Sequence, residues 1–174
     1  CVLALHFGLF NEKEPVAKQL TELVRSFGHL TTGFVGTPYL LHVLSDIGEN
    51  ELAYELLLRD EFPSWCYPIT QGATTMWERW NGYKPDGSVA TPDMNSFNHY
   101  AYGAVGDWLY EKMCGIRQKD GTAGFTDIVF SPVISDRFSF AEASIETANG
   151  TVFSRWEKTD SGIRLKLFLP AGST

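Results

Sequence analysis

Apolar residues return at helical intervals over the first two-thirds of the chain and at alternate positions over the last third. Val2, Leu3, Leu5, Phe7, Leu9 and Phe10 read as the buried end of a helix, and Asn11 to Glu14 as a polar break. Pro15 suits a first helical turn, and Val16, Leu20, Leu23, Val24 and Phe27 follow on one amphipathic face that Gly28 closes. Thr37-Pro38 opens the next helix, with Thr37 as its cap and Leu40, Leu41, Val43, Leu44 and Ile47 inward. Glu49 to Asp60 forms another, with Leu52, Ala53, Leu56 and Leu57 inward. Only Gly48-Glu-Asn50 separates the two, so they are expected to pack antiparallel. The longest stripe is Phe97, Tyr100, Ala101, Ala104, Val105, Trp108, Leu109 and Met113, and it predicts a long helix capped by Asn95 or Ser96.

From about Gln118 the pattern has period two. Thr126–Ser131, Phe138–Glu146, Thr151–Trp156 and Ile163–Leu169 read as strands, with a hairpin at Asn149-Gly150 and a turn at Asp160-Ser-Gly162. Helices followed by a run of about four antiparallel strands point to two domains or an α+β arrangement, divided near residue 117. Both ends of the chain read as cut: a helix lacking its start and a strand lacking neighbours.

Between the helical regions, Glu61 to Asn95 carries Pro63, Pro68, Gly72, Gly82, Pro85, Gly87 and Pro92. A loop of that length in a compact domain is usually functional. Within it, Trp77 and Trp80 flank Glu78, with Arg79 beside it. Indole faces cover the C–H faces of a sugar ring, and a carboxylate next to them can move a proton. The bland readings stand beside this one: Glu78 in a salt bridge, Trp77 and Trp80 as core anchors, Arg79 as structural, and His99 as a satisfied helix-end histidine.

Composition narrows the partners. A net charge of −7 leaves no basic surface for phosphates, so neither nucleic acid nor an anionic membrane is expected, and no apolar run reaches the ~20 residues of a span. Cys1, Cys66 and Cys114 are widely spaced and odd in number, so they read as buried free thiols. No metal-ligand cluster, phosphate-binding loop or nucleophile elbow is present in the sequence, and no metal or cofactor is expected. The pattern leaves localisation undecided among cytoplasm, periplasm and secretion.

Four motifs agree in order and spacing with one family. His29-Leu-Thr-Thr-Gly-Phe-Val-Gly-Thr-Pro-Tyr39, Pro63-Ser-Trp65 with Tyr67-Pro68, Gly72-Ala-Thr-Thr-Met-Trp-Glu-Arg-Trp80 and Ser96-Phe-Asn-His-Tyr-Ala-Tyr-Gly103 resemble the bacterial α-L-rhamnosidases of glycoside hydrolase family 78. The resemblance is strong over 1–116 and weaker beyond. It implies part of an (α/α)6 catalytic barrel over 1–116 and an antiparallel β-sandwich segment over 117–174. It also implies inverting hydrolysis of terminal α-L-rhamnose from glycans or glycosides. Glu78 is then the general base, His99 binds the sugar, and Trp80 is the indole expected to face it. The Thr31-Thr-Gly-Phe34 loop is expected at the pocket rim. The family's general acid lies in an upstream acidic motif that this chain does not contain. The implied partners are a rhamnose-containing carbohydrate and the remainder of a parent polypeptide, without which residues 1–174 are expected to be inactive. Two alternatives remain: another inverting α/α-barrel glycosidase, and a non-catalytic carbohydrate-binding fragment.

Overall fold

A computed structural model describes all residues from 1 to 174. Helices α1 (Val2–His6), α2 (Lys13–Phe27), α3 (Thr37–Asp46), α4 (Asn50–Leu58) and α5 (Cys66–Thr70) come first. A 3₁₀ turn (Ala101–Ala104), α6 (Val105–Trp108) and a π turn (Leu109–Met113) follow, and then strands β1 (Ile116–Gln118), β2 (Ile128–Phe130), β3 (Phe140–Thr147), β4 (Gly150–Thr159) and β5 (Gly162–Phe168). The chain divides into two compact units, Cys1–Val105 and Gly106–Thr174. No helix is long and apolar enough to cross a membrane.

In the first unit α3 packs on α1 and α4, and α1 on α2. Leu40, Leu41, Val43 and Leu44 of α3 and Leu52, Ala53, Leu56 and Leu57 of α4 are buried, as their helical spacing predicts, and Tyr54 is buried besides. Gly28 ends α2 at φ 66°, a left-handed value that only glycine adopts freely. On α2, Leu20 and Val24 are buried but Leu23 and Phe27 stay exposed, since no element of 1–174 covers that flank. Thr37 does not cap α3. Its hydroxyl bonds the Thr32 carbonyl at 3.0 Å and the Thr32 hydroxyl at 2.8 Å, closing the 32–37 loop instead.

The longest predicted helix begins late. Helical structure starts at Ala101; Phe97 and Asn98 form a bend, and the Phe97 carbonyl and His99 N–H bond to another segment. Tertiary pairing of those backbone groups outweighs the local apolar stripe. The run from 101 to 113 also passes through three helical geometries rather than one, with Gly103 and Gly106 in it.

In the second unit β3-β4-β5 form one antiparallel sheet, and β1-β2 a separate pair. The hairpins close between Thr147 and Gly150 and between Thr159 and Gly162. β1 was not legible: three residues are too short for an alternation signal. Trp156 is fully buried with Ala141 and Cys114, and its indole N–H donates to the Met113 carbonyl at 2.8 Å. Ser154, also fully buried, donates to the Cys114 carbonyl at 2.7 Å, so each buried polar side chain on this face of β4 is satisfied. Cys114 is buried as expected, and burial pushes its thiol up to about 11. Cys66 is partly buried and its thiol is raised by burial and by Asp60. Cys1 departs from expectation: it is exposed, at the end of the chain.

Candidate active site

The long loop is held by hydrogen bonds rather than by regular structure. Residues 75–78 lie alongside residues 96–99 in an antiparallel pairing. Glu78 N–H donates to the Ser96 carbonyl at 2.8 Å, and His99 N–H donates to the Met76 carbonyl at 2.8 Å. The Thr75 hydroxyl donates to the Phe97 carbonyl. This pairing brings Glu78 and His99, 21 positions apart in sequence, onto adjoining segments of one loop pair.

Ser96 closes on Glu78 from both of its backbone groups. Its carbonyl takes the Glu78 N–H, and its own N–H donates to Glu78 Oε2 at 2.8 Å. The half-buried carboxylate is therefore oriented through one oxygen, and Oε1 has no partner among residues 1–174. A carboxylate fixed by one oxygen and open at the other can accept a proton from a nearby water. Arg79 turns elsewhere. Its Nε–H donates to the Met94 carbonyl at 2.9 Å, in keeping with a structural role rather than pairing with its neighbour.

His99 is not at the start of a helix but at the end of the paired segment. Its Nδ1 accepts the Ala101 N–H at 3.3 Å. A ring nitrogen that accepts carries no proton, so the neutral ring has its proton on Nε2, where it can donate to a hydroxyl. The ring stacks on Phe34 at 5.1 Å and lies parallel to Tyr100 at 5.5 Å. Phe34 belongs to the 31–34 loop, so that loop does reach the histidine. Thr31 and Thr32 instead line a cavity of about 160 Å³ against α2, with Val2, Leu20, Val24 and Leu40.

The two tryptophans are buried walls. Trp77 is 4% exposed and boxed edge-on by Phe97 and Tyr83. Trp80 is 8% exposed, with one face on Tyr102 at 3.7 Å and an edge against Trp65 at 5.5 Å. Trp65 in turn donates to the Tyr102 carbonyl at 2.9 Å, and burial raises the Tyr102 phenol against the opposing charge of Arg79. Sequence reasoning did not single out Tyr102, took Ser96 only as a helix cap, and named Phe34 only as part of the rim loop. Their signal was present only as membership of the two motifs, because stacking and main-chain donation leave no spacing to read.

Comparison with known proteins decides the family. Residues 1–113 match the model of the bacterial alpha-L-rhamnosidase 6 hairpin glycosidase domain, and residues 115–174 that of the bacterial alpha-L-rhamnosidase C-terminal domain. The chain belongs to the bacterial α-L-rhamnosidase family. An α-L-rhamnosidase of Streptomyces avermitilis is 43% identical over 99% of the chain, which spans 17% of that relative. One of Formosa agariphila is also 43% identical over 99% of the chain, which spans 19% of it. The crystal structure of the Streptomyces avermitilis rhamnosidase complexed with L-rhamnose superposes with a TM-score of 0.93 over 99% of the chain and 17% of that structure. The native enzyme of Aspergillus terreus gives 0.93 at 33% identity, again over 99% of the chain and 20% of that structure. A helical segment followed by antiparallel sheets is thus the arrangement this chain shares with rhamnosidases, and it spans under a fifth of the curated relatives' length.

Proposed function

We propose that residues 1–174 are part of an inverting α-L-rhamnosidase, in which 1–116 complete an (α/α)6 catalytic barrel and 117–174 form a β-sandwich segment. The observation that carries this reading is the loop pairing of 75–78 with 96–99, in a chain 43% identical to rhamnosidases. It sets a carboxylate with one anchored oxygen beside a histidine oriented to donate.

In this reading Glu78 is the general base. It takes a proton from a water that attacks the anomeric carbon, while a second carboxyl group outside 1–174 protonates the departing glycosidic oxygen. The bond from the anomeric carbon to that oxygen breaks as the bond to water forms. His99 binds a sugar hydroxyl through Nε2–H. Trp80 contributes as the buried wall that keeps Tyr102 and the loop in place, with only its remaining edge open to the sugar. The substrate is a rhamnose-containing glycan or glycoside, and the reaction needs no cofactor.

The test uses the complete parent protein on an aryl α-L-rhamnoside, as wild type and as Glu78→Gln. Turnover should fall roughly 10²–10⁴-fold with an unchanged circular dichroism spectrum. An unaffected variant would return Glu78 to a structural role. Turnover of a different glycoside but not the rhamnoside would change the sugar, and binding without turnover would make the protein a carbohydrate-binding module.

A further inference from the structure

We propose that Arg79 is a positioning residue for the base: it holds the backbone at Met94 so that Ser96 presents its N–H to Glu78. The proposal rests on the reading of Glu78 as the base.

Met94 has φ 51°, in the left-handed region, without being glycine. Its side chain is 65% exposed, so packing does not hold it there. A non-glycine residue keeps such a backbone only when its surroundings over-determine it. The surroundings are on the page. Arg79 Nε–H binds the Met94 carbonyl at 2.9 Å, across 15 residues. One residue on, Asn95 donates from Nδ2 to the Gly82 carbonyl at 3.1 Å, and Gly82 N–H donates back to the Arg79 carbonyl at 3.2 Å. The 79–82 turn and the 94–95 corner are therefore tied at both ends. The next residue is Ser96, whose N–H lies 2.8 Å from Glu78 Oε2. A corner that relaxed at Met94 would rotate that N–H away from the carboxylate and leave the base free to swing.

Charge alone does not satisfy this geometry. The guanidinium presents Nε–H in a fixed plane, whereas a lysine ammonium sits at the end of a flexible stem. Glycine at 94 would adopt the left-handed backbone without a tether.

The experiment measures kcat and KM of the complete parent enzyme on an aryl α-L-rhamnoside. The variants are Arg79→Ala and Arg79→Lys, each alone and combined with Met94→Gly, with Glu78→Gln as the reference. Misplacing a catalytic group by about 1 Å can cost 10²-fold, so Arg79→Ala should lower kcat by roughly 10–100-fold with little change in KM. Arg79→Lys should be nearly as poor, and Met94→Gly should restore most of the lost kcat in both. If Arg79→Ala does not fold, as judged by circular dichroism, the Arg79→Lys pair carries the same comparison. A rise in KM at unchanged kcat, full activity in Arg79→Lys, or no recovery with Met94→Gly overturns the proposal. Full activity in Glu78→Gln overturns the base reading beneath it. A dead Glu78→Gln with an unaffected Arg79→Ala overturns the positioning role alone.

Discussion

At Gly82 a methyl group would sit 2.9 Å from Phe97 Cε1, 2.9 Å from Trp77 Cε3 and 3.2 Å from Asn95 Oδ1. Neither ring can step aside easily, because Phe97 stacks on Tyr83 at 4.6 Å and Trp77 stands edge-on to both. Glycine at this position is what lets the 79–82 turn lie against the 95–97 segment. Gly82→Ala should therefore push Phe97 outward and, through the Thr75 bond to its carbonyl, loosen the pairing beneath Glu78. Overpacking of this kind costs about 1–3 kcal/mol. A thermal melt of the complete protein should show the loss, and turnover should fall with it. Trimming the obstructing ring, as in Gly82→Ala with Phe97→Leu, should recover part of both. Full stability in the single variant would mean that the two segments do not depend on this close approach.

At the scale of elements, the three-stranded sheet carries a charge ladder on its exposed face. Register places Glu142 opposite Arg155, and Glu157 opposite Arg164. Arg155 bonds Glu142 at 2.6 Å and Glu157 at 2.8 Å, with its guanidinium 4.4 Å over the Phe140 ring, and Arg164 reaches Glu157 at 2.8 Å. Hydrogen bonds from Arg155 and then Arg164 hold the Glu157 carboxyl below its ordinary range, and the Lys158 bond does the same for Asp136. A carboxyl lowered by folding lends stability that is complete above its unfolded value and is lost as pH falls through the folded one. Melts of the complete protein should drop in midpoint as pH falls below the ordinary carboxylate range. Arg155→Met should flatten that drop, and so should added salt, since these groups are all partly in solvent. An unchanged pH slope in Arg155→Met would mean that the ladder contributes nothing. These strands were legible because alternation at Ile163, Leu165 and Leu167 is a local signal. The segment from Phe97 to Tyr100 was not. Its apolar spacing fits a helix, and only its bonds to Thr75 and Met76, far away in sequence, keep it out of one. The same limit hid the walls: Trp77 and Trp80 carry the composition of a sugar platform, but Phe97, Tyr83, Tyr102 and Trp65 already occupy most of their surface.

For the whole molecule, the proposed mechanism turns on the distance from Glu78 to a second carboxyl group. Residues 1–174 span 17% and 19% of the rhamnosidases of Streptomyces avermitilis and Formosa agariphila. Glu78 alone is compatible with two chemistries. If the second carboxyl stands about 6.5–9.5 Å away, a water fits between Glu78 and the anomeric carbon, and the product inverts. If it stands about 5–5.5 Å away, one carboxylate attacks the sugar itself, and the configuration is retained. The proposed role of Glu78 as general base, with its Oε2 held by the Ser96 N–H, corresponds to the first. The complete enzyme acting on an aryl α-L-rhamnoside should thus release β-L-rhamnose first, seen by proton NMR before mutarotation mixes the anomers. Early appearance of the α anomer would make the reaction a double displacement and Glu78 a nucleophile or its acid–base partner. In that case the Ser96 contact would have to serve a covalent intermediate rather than a water.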